Sequence, residues 1–152
     1  MIDPLLIHRV AHALQRWGVP KLPGLLARLN YGLTHCDLPP SVRVGRGVRF
    51  QHFGSGVVVH HKAEIGDDVL IMPQVVIGQR ASAAGVAPLT YIRIGRGAML
   101  GAGCKIIAEG EFEIGAGASI GANAVVLASV PASAVAVGIP ARIRPARPGS
   151  SV

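Results

Sequence analysis

The side chains in this sequence best suited to moving a proton near neutral pH are its six histidines, and their settings differ sharply. His52 stands in "FQHFGSG", a glycine-rich stretch among aliphatic residues. An imidazole titrates close to neutrality and is well matched to taking a proton from a hydroxyl group. A carboxylate beside it fixes the tautomer and stabilises the imidazolium that forms, and Asp37 is the candidate. The chemistry in prospect is general-base activation of an acceptor hydroxyl. Two readings stay open on the residues alone: an Asp37–His52 dyad, or a corner histidine bonded to backbone with Asp37 merely ending a turn.

The other candidates are weaker. His8 and His12 lie one helical turn apart, a metal-compatible spacing, but no third ligand accompanies them. Helix packing and hydrogen bonding is the preferred reading. His35 carries no pattern. His60 and His61 follow on a predicted strand, so their side chains are expected on opposite faces. Cys36 and Cys104 are too few for a disulfide framework, and Cys104 occupies a small-residue position where a thiol acts as apolar filler rather than nucleophile.

What must position these groups is a repeat. From about residue 38 the sequence has a period of six: an aliphatic residue, often Gly, two variable residues, a small residue or Val, then one more. "VGRGVR", "IGDDVL", "LGAGCK", "IGAGAS" and "IGANAV" are examples. Each hexapeptide predicts one short strand and a corner, and three make a triangular coil with aliphatic residues stacked inside. The register sorts the chain into three faces. Val44, Ile65, Ile94 and Ile114 start the first; Phe50, Ile71, Leu100 and Ile120 the second; Leu38, Val59, Ile77, Ile106 and Val126 the third. The two largest departures from six are Phe50 to Val59, which spans nine residues, and Ile77 to Ile94, which spans seventeen. The second insertion, residues 79–91, is expected to protrude as a loop. The first carries His52, at a corner where the register stacks it on Asp37 one rung below.

The fold class is thus all-β, a single-stranded parallel β-helix with a short N-terminal helical segment. The boundaries are 1–36 for the helical segment, 37–145 for the β-helix and 146–152 for a flexible tail. Asp3 and Pro4 suit a helix start, and Leu6, Val10, Ala13, Leu14 and Trp17 recur at helical spacing until Gly18 and Pro20. A second helix is predicted around Leu25–Leu33. Such a pair could lie on a membrane, but packing against the coil or a neighbouring subunit is preferred.

Hydrophobic residues make up 50% of the chain and aromatics 4%, so the core is aliphatic. The net charge of +7 admits nucleic acid, a membrane surface or a phosphorylated cofactor. No aromatic-interleaved basic patch or reading helix supports nucleic acid. No run is long enough for a transmembrane segment, no signal peptide is readable, and a cytoplasmic location is the expectation.

On "VGRGVRFQHFGSGVVVHHKAEIGDDV", "VVIGQ", "AMLGAGCKII" and "IGANAVVLASVPASAVAVGIPARI", the sequence resembles the hexapeptide acyltransferases, in their serine O-acetyltransferase-like branch. The resemblance implies a left-handed coil, a homotrimer with active sites between subunits, and acetyl-CoA as co-substrate. It places His52 as general base with Asp37 as partner, and Gln51, His61 and Tyr91 at acceptor-binding positions. Acetyl-CoA is placed against Gly78, Gln79, Gly101, Ala102 and the C-terminal coils. There Arg142 and Arg144 are candidates to meet CoA phosphates, or are an ordinary basic tail. Trimeric β-helix carbonic anhydrases resemble this fold but take a third His ligand from a later coil. No His follows His61, so no metal is expected.

Gln51, His61 and Tyr91 depart from the residues that serine acetyltransferases carry, and the extra residue in "HFGSGVVVHH" looks like shorter polysaccharide-cluster relatives. The expected function is acetyl transfer to a sugar or surface-polysaccharide hydroxyl. The alternatives are a short serine O-acetyltransferase and a non-catalytic trimeric scaffold. The oxyanion donor is sought among backbone N–H groups of residues 54–56 or on a neighbour's loop.

Overall fold

An inward aliphatic side chain every sixth residue can be buried only if the backbone turns a corner between one and the next, and the chain does so. The computed structural model describes residues 3–81 and 87–145; the expected tail at 146–152 and the middle of the protruding loop, 82–86, lie outside the described residues. The coil is a left-handed parallel β-helix whose three sheets are the three predicted faces. Val44 pairs with Ile65, Ile65 with Ile94 and Ile114 with Ile94 on the first. Phe50, Ile71, Leu100 and Ile120 line up on the second. Val59, Ile77, Ile106 and Val126 line up on the third, where Asp37 bridges Val58 and so sets Leu38 beside Val59.

The two inward positions of each hexapeptide fill the core. Ile65, Ile71, Ile77, Ile94, Leu100, Ile106, Ile114 and Ile120 are at most 1% exposed. Burial of each such side chain contributes about 1.5–3 kcal/mol. The small positions, Val69, Val75, Ala98, Cys104, Ala118 and Ala124, are equally buried. Burial pushes the thiols of Cys36 and Cys104 up to about 12, so neither supplies a thiolate nucleophile. The glycine after the aliphatic residue has a steric origin. A Cβ on Gly66 would lie 2.9 Å from the Arg96 nitrogen, and one on Gly101 2.6 Å from the Ile120 carbonyl oxygen. Stacked rungs approach too closely there for any side chain.

The chain leaves the coil by a device that hexapeptide counting did not show. Arg142–Arg144 forms an antiparallel strand against Val135–Val137, covering the last rung of the second face.

Two helices precede the coil. Helix α1, Pro4–Arg16, starts where expected: the Asp3 carboxylate accepts from the Leu5 N–H at 2.9 Å, with proline in the first turn. Helix α2, Leu22–Thr34, begins earlier than predicted and ends at His35 in a left-handed conformation. No helix among the described residues is long and apolar enough to cross a membrane. The buried stripe of α1 differs from the expected one. Leu5, His8 and Ala11 face the interior, whereas Leu6, Val10 and Trp17 are 65%, 51% and 78% exposed. The inward stripe is chosen by hydrogen bonding: His8 Nε2 meets the Val42 carbonyl at 3.1 Å, and His12 Nδ1 the Pro40 carbonyl at 2.7 Å. These two histidines dock the helix on the first coil.

Burial lowers His8 to about 4, with His12 adding to the effect, so it is neutral in the folded protein at pH 7. Unfolded, it protonates near its ordinary value of ~6.5. Between those values the unfolded chain binds more protons, so acidification favours unfolding. Stability should therefore fall by up to roughly 3 kcal/mol between pH 6.5 and about 4. Denaturant titrations across this window should show the loss, and His8→Gln should flatten it.

Candidate active site

The edge between the second and third faces carries His52. Residues Gln51–Gly54 form a tight turn inside the first insertion, with His52 at φ 48°, ψ 41° and Phe53 at φ 59°, ψ 24°. Two successive non-glycine residues in the left-handed region cost about 1–3 kcal/mol each. The turn is held from beneath by Gly54, where a Cβ would lie 3.0 Å from Cys36 Sγ and 3.1 Å from the Phe50 ring. It closes with Ser55 N–H on the His52 carbonyl at 3.2 Å and Val57 N–H on the Gly54 carbonyl at 2.9 Å. The result is an exposed imidazole lining a cavity of ≈ 350 Å³ together with Gln51, Phe53, Arg49 and the start of α1. Asp3, which sequence reasoning used only as a helix cap, lines that cavity; it arrives there because α1 folds back over the coil, a placement with no local signal.

Asp37 sits at the start of the third face. Its N–H donates to the Val57 carbonyl at 2.8 Å and its carbonyl accepts from Val59 N–H at 2.9 Å. Both Asp37 and His52 are exposed. Among the described residues there is no hydrogen bond or ion pair between their side chains. The ladder aligns Asp37 with Val58, beyond the insertion, because the extra residues carry His52 out of the rung before the strand resumes.

The same edge continues upward through the turns after Ile71 and Leu100. Gln74 N–H donates to the Ser55 carbonyl at 2.9 Å and Gly103 N–H to the Pro73 carbonyl at 2.9 Å. Gly101 and Ala102 therefore lie two rungs above the His52 turn, about 10 Å at the usual strand spacing. Gly78 and Gln79 lie on the third face in the strand Val76–Gln79, with Gly78 opposite Ile107. Gly78 differs from Gly101 in one respect: a Cβ there would find nothing closer than Val76 Cγ1 at 3.6 Å, so the fold does not require glycine. Arg142 and Arg144 are exposed on the covering strand, two residues apart and directed to the same side of it.

His61 and Tyr91 occupy the other edge of the third face. His60 and His61 were expected on opposite faces of a strand, but the strand ends at Val59 and the pair lies at a turn. Their rings sit 4.2 Å apart, centroid to centroid, and Ser41 Oγ donates to the His61 carbonyl at 3.1 Å. Burial, with His61 and Lys62 adding to it, lowers His60, which favours its neutral form. His61 and Tyr91 share a cavity of ≈ 260 Å³ with Arg43, Glu64 and Arg93, cations and a carboxylate that the repeat disguises as ordinary outward positions. The Tyr91 hydroxyl is 3.4 Å from Glu111 Oε2 and 3.5 Å from Glu113 Oε1, and Arg93 bonds Glu113 at 2.7 Å. Desolvation, then Glu111 and Glu113, hold Tyr91 above the ordinary phenol range, so it acts as a neutral hydrogen-bonding group. Lys62 Nζ donates to the Leu89 carbonyl at 2.6 Å, pinning the return of the long loop to this edge.

In one chain, then, Gln51, His52, Gly101 and Ala102 gather on one edge of the third face, while Gln79, His61 and Tyr91 gather on the other. No family profile matches the chain. It is 37% identical over 139 residues to the serine acetyltransferase of Synechococcus elongatus, covering 91% of this chain and 54% of that one. It is 36% identical over 141 residues to the serine acetyltransferase of Helicobacter pylori, covering 93% of this chain and 79% of that one. The chain belongs to the serine acetyltransferase family. A serine acetyltransferase solved as a complex with CoA is similar throughout the coil, with a TM-score of 0.81 and 33% identity over 93% of this chain and 55% of that one. The chain spans about half the length of most of the family members it matches.

The two glycines separate structural need from ligand access. Gly101→Ala should lower stability by about 1–3 kcal/mol through backbone overlap, while Gly78→Ala should stay within ~0.5 kcal/mol of the parent. Thermal unfolding of both variants checks this.

Proposed function

We propose that this chain is an acetyl-CoA-dependent O-acetyltransferase with His52 as its general base and serine as its acceptor. The observation that carries the reading is the His52 imidazole, presented by a strained left-handed turn on the edge that also bears Gly101 and Ala102. Strain of this kind persists where the surroundings over-determine it, and it is concentrated at functional sites. The names of the relatives support serine over the glycan acceptor that the sequence favoured.

His52 removes the acceptor hydroxyl proton, and the alkoxide oxygen attacks the thioester carbon of acetyl-CoA. The tetrahedral oxyanion collapses, the C–S bond breaks, and the imidazolium returns its proton to the departing CoA sulfur. No acetyl-enzyme forms, in keeping with two buried, protonated thiols. Ser55 and Gly56 N–H groups already donate to the His52 and His35 carbonyls, which argues for an oxyanion donor elsewhere, on a neighbouring subunit's loop. Asp37 acts as the orienting carboxylate once the acceptor and a neighbouring subunit close the edge.

A homotrimer suits this arrangement. The two edges flank one face, so a single chain keeps His52 apart from His61 and Tyr91. Three-fold packing sets the His52 edge of one subunit against the Tyr91 edge of the next. Acetyl-CoA then runs along that seam past Gly78, Gln79, Gly101 and Ala102, with Arg142 and Arg144 toward its phosphates.

A glycan hydroxyl remains the second reading, favoured by Gln51, His61 and Tyr91: an amide, an imidazole and a phenol suit neutral hydroxyl groups better than a charged amino acid. Thiol release from acetyl-CoA, measured with L-serine and with a panel of sugars and glycan oligomers, separates the two. Turnover with serine is expected, and turnover with a glycan alone reassigns the acceptor. His52→Ala should cut turnover by about a hundredfold or more while leaving acetyl-CoA binding intact; a fully active variant would remove His52 as the base.

A further inference from the structure

The apolar stripe that α1 does not use in folding is the strongest feature left unexplained by acetyl transfer. Leu6, Val10, Ala13 and Trp17 fall on one side of the helix at three- and four-residue spacing, opposite the Leu5–His8–Ala11 stripe that packs on the coil. Helix α2 repeats the pattern. Leu22, Leu25, Leu29 and Leu33 recur at the same spacing and are 40%, 62%, 50% and 47% exposed, while Pro23, Asn30 and Thr34 face inward. Each helix is thus apolar on a face that the coil leaves bare. Isolated exposed leucines need no explanation, but two unbroken stripes on adjacent helices do.

Charge identifies the occupant. Within residues 3–36 the cations are Arg9, Arg16, Lys21 and Arg28, and the only carboxylate is Asp3, already engaged as the α1 cap. All four cations are exposed, and none takes part in an ion pair among the described residues. Lys21 and Arg28 border a groove of ≈ 660 Å³ formed with Pro20, Leu22, Gly24 and Leu25, an apolar floor with a cationic rim. A second copy of the chain docking through the same face would bring eight such cations together against only the two Asp3 carboxylates, both already engaged as helix caps. An anionic lipid surface offers what both features require, acyl chains for leucine and tryptophan and negative headgroups for arginine and lysine.

We propose that the α1–α2 pair docks on an anionic lipid bilayer, lying in the interface plane with Trp17 and the α2 leucines inserted. Because α1 also contributes Asp3, Pro4 and Leu5 to the cavity around His52, such docking holds the candidate active site next to the membrane surface. The proposal does not depend on the acceptor or on the activity.

Trp17 is the only tryptophan of the chain and reports on its own stripe. The protein is mixed with vesicles of phosphatidylcholine alone or of phosphatidylcholine with phosphatidylserine, and Trp17 emission and co-sedimentation are read. A blue shift and sedimentation with the anionic vesicles only, weakened by salt, are expected. Leu25→Glu with Leu29→Glu should reduce binding at least tenfold, as should Arg16→Glu with Arg28→Glu, with circular dichroism unchanged. Failure of the parent protein to sediment with anionic vesicles overturns the proposal. So does light scattering that shows a higher assembly of the lipid-free protein dispersed by the same leucine substitutions, since a second copy would then cover the stripe.

Discussion

Everything in the coil depends on the hydrogen-bond ladder between successive rungs. Along one edge, Gly45 N–H meets the Ile65 carbonyl at 2.8 Å, Gly66 the Ile94 carbonyl at 2.8 Å, Gly95 the Ile114 carbonyl at 2.7 Å and Gly115 the Val130 carbonyl at 2.7 Å. These bonds set the rung spacing, and the spacing sets the sequence. Backbones this close exclude a Cβ at Gly45, Gly66, Gly95 and Gly115, which is why glycine recurs after the aliphatic residues of the first face. Side chains stacked one rung apart are mostly aliphatic, which fills the narrow interior regularly, with Phe112 buried among them as an aromatic exception. Chemistry is thereby confined to outward positions and to insertions that interrupt the ladder.

The two insertions lie at different edges of the third face, and this separation governs the candidate site. At the first, a left-handed pair at His52 and Phe53 is tolerated because Gly54 packs against Cys36 and Phe50 and because the strand resumes in register at Val58. At the second, Leu89 is buried and Lys62 grips its carbonyl, so the chain re-enters at Tyr91 with a fixed orientation. A rigid prism presents both edges with high precision, yet holds them apart.

The helical segment follows a different logic. Its attachment to the coil rests on polar contacts as much as on apolar ones, His8 to Val42 and His12 to Pro40, while Asn30 of α2 donates to the Pro4 carbonyl and ties the two helices together. His8 retains a buried Nδ1 without a hydrogen-bond partner, so the same residue that docks the helix also leaves a liability in acid. Because hydrogen bonding selects which side of α1 turns inward, the more apolar side is left facing out.

Repeat period, face assignment and the inward positions of the aliphatic and small residues were determined by the sequence alone, since a period of six admits one register and each residue's face follows from its distance to the next aliphatic. The helix start at Asp3–Pro4 was equally local. The placement of His52 on an outward corner came from counting the insertion. What only the tertiary structure decided is where non-periodic segments go. Asp37 aligns with Val58 rather than the His52 side chain, because the extra residues leave the rung. His60 and His61 share a turn because the strand stops at Val59. Residues 142–144 run back antiparallel over the last rung, and α1 turns its histidine stripe inward. Each depends on contacts between residues distant in sequence, whose partners no local pattern names.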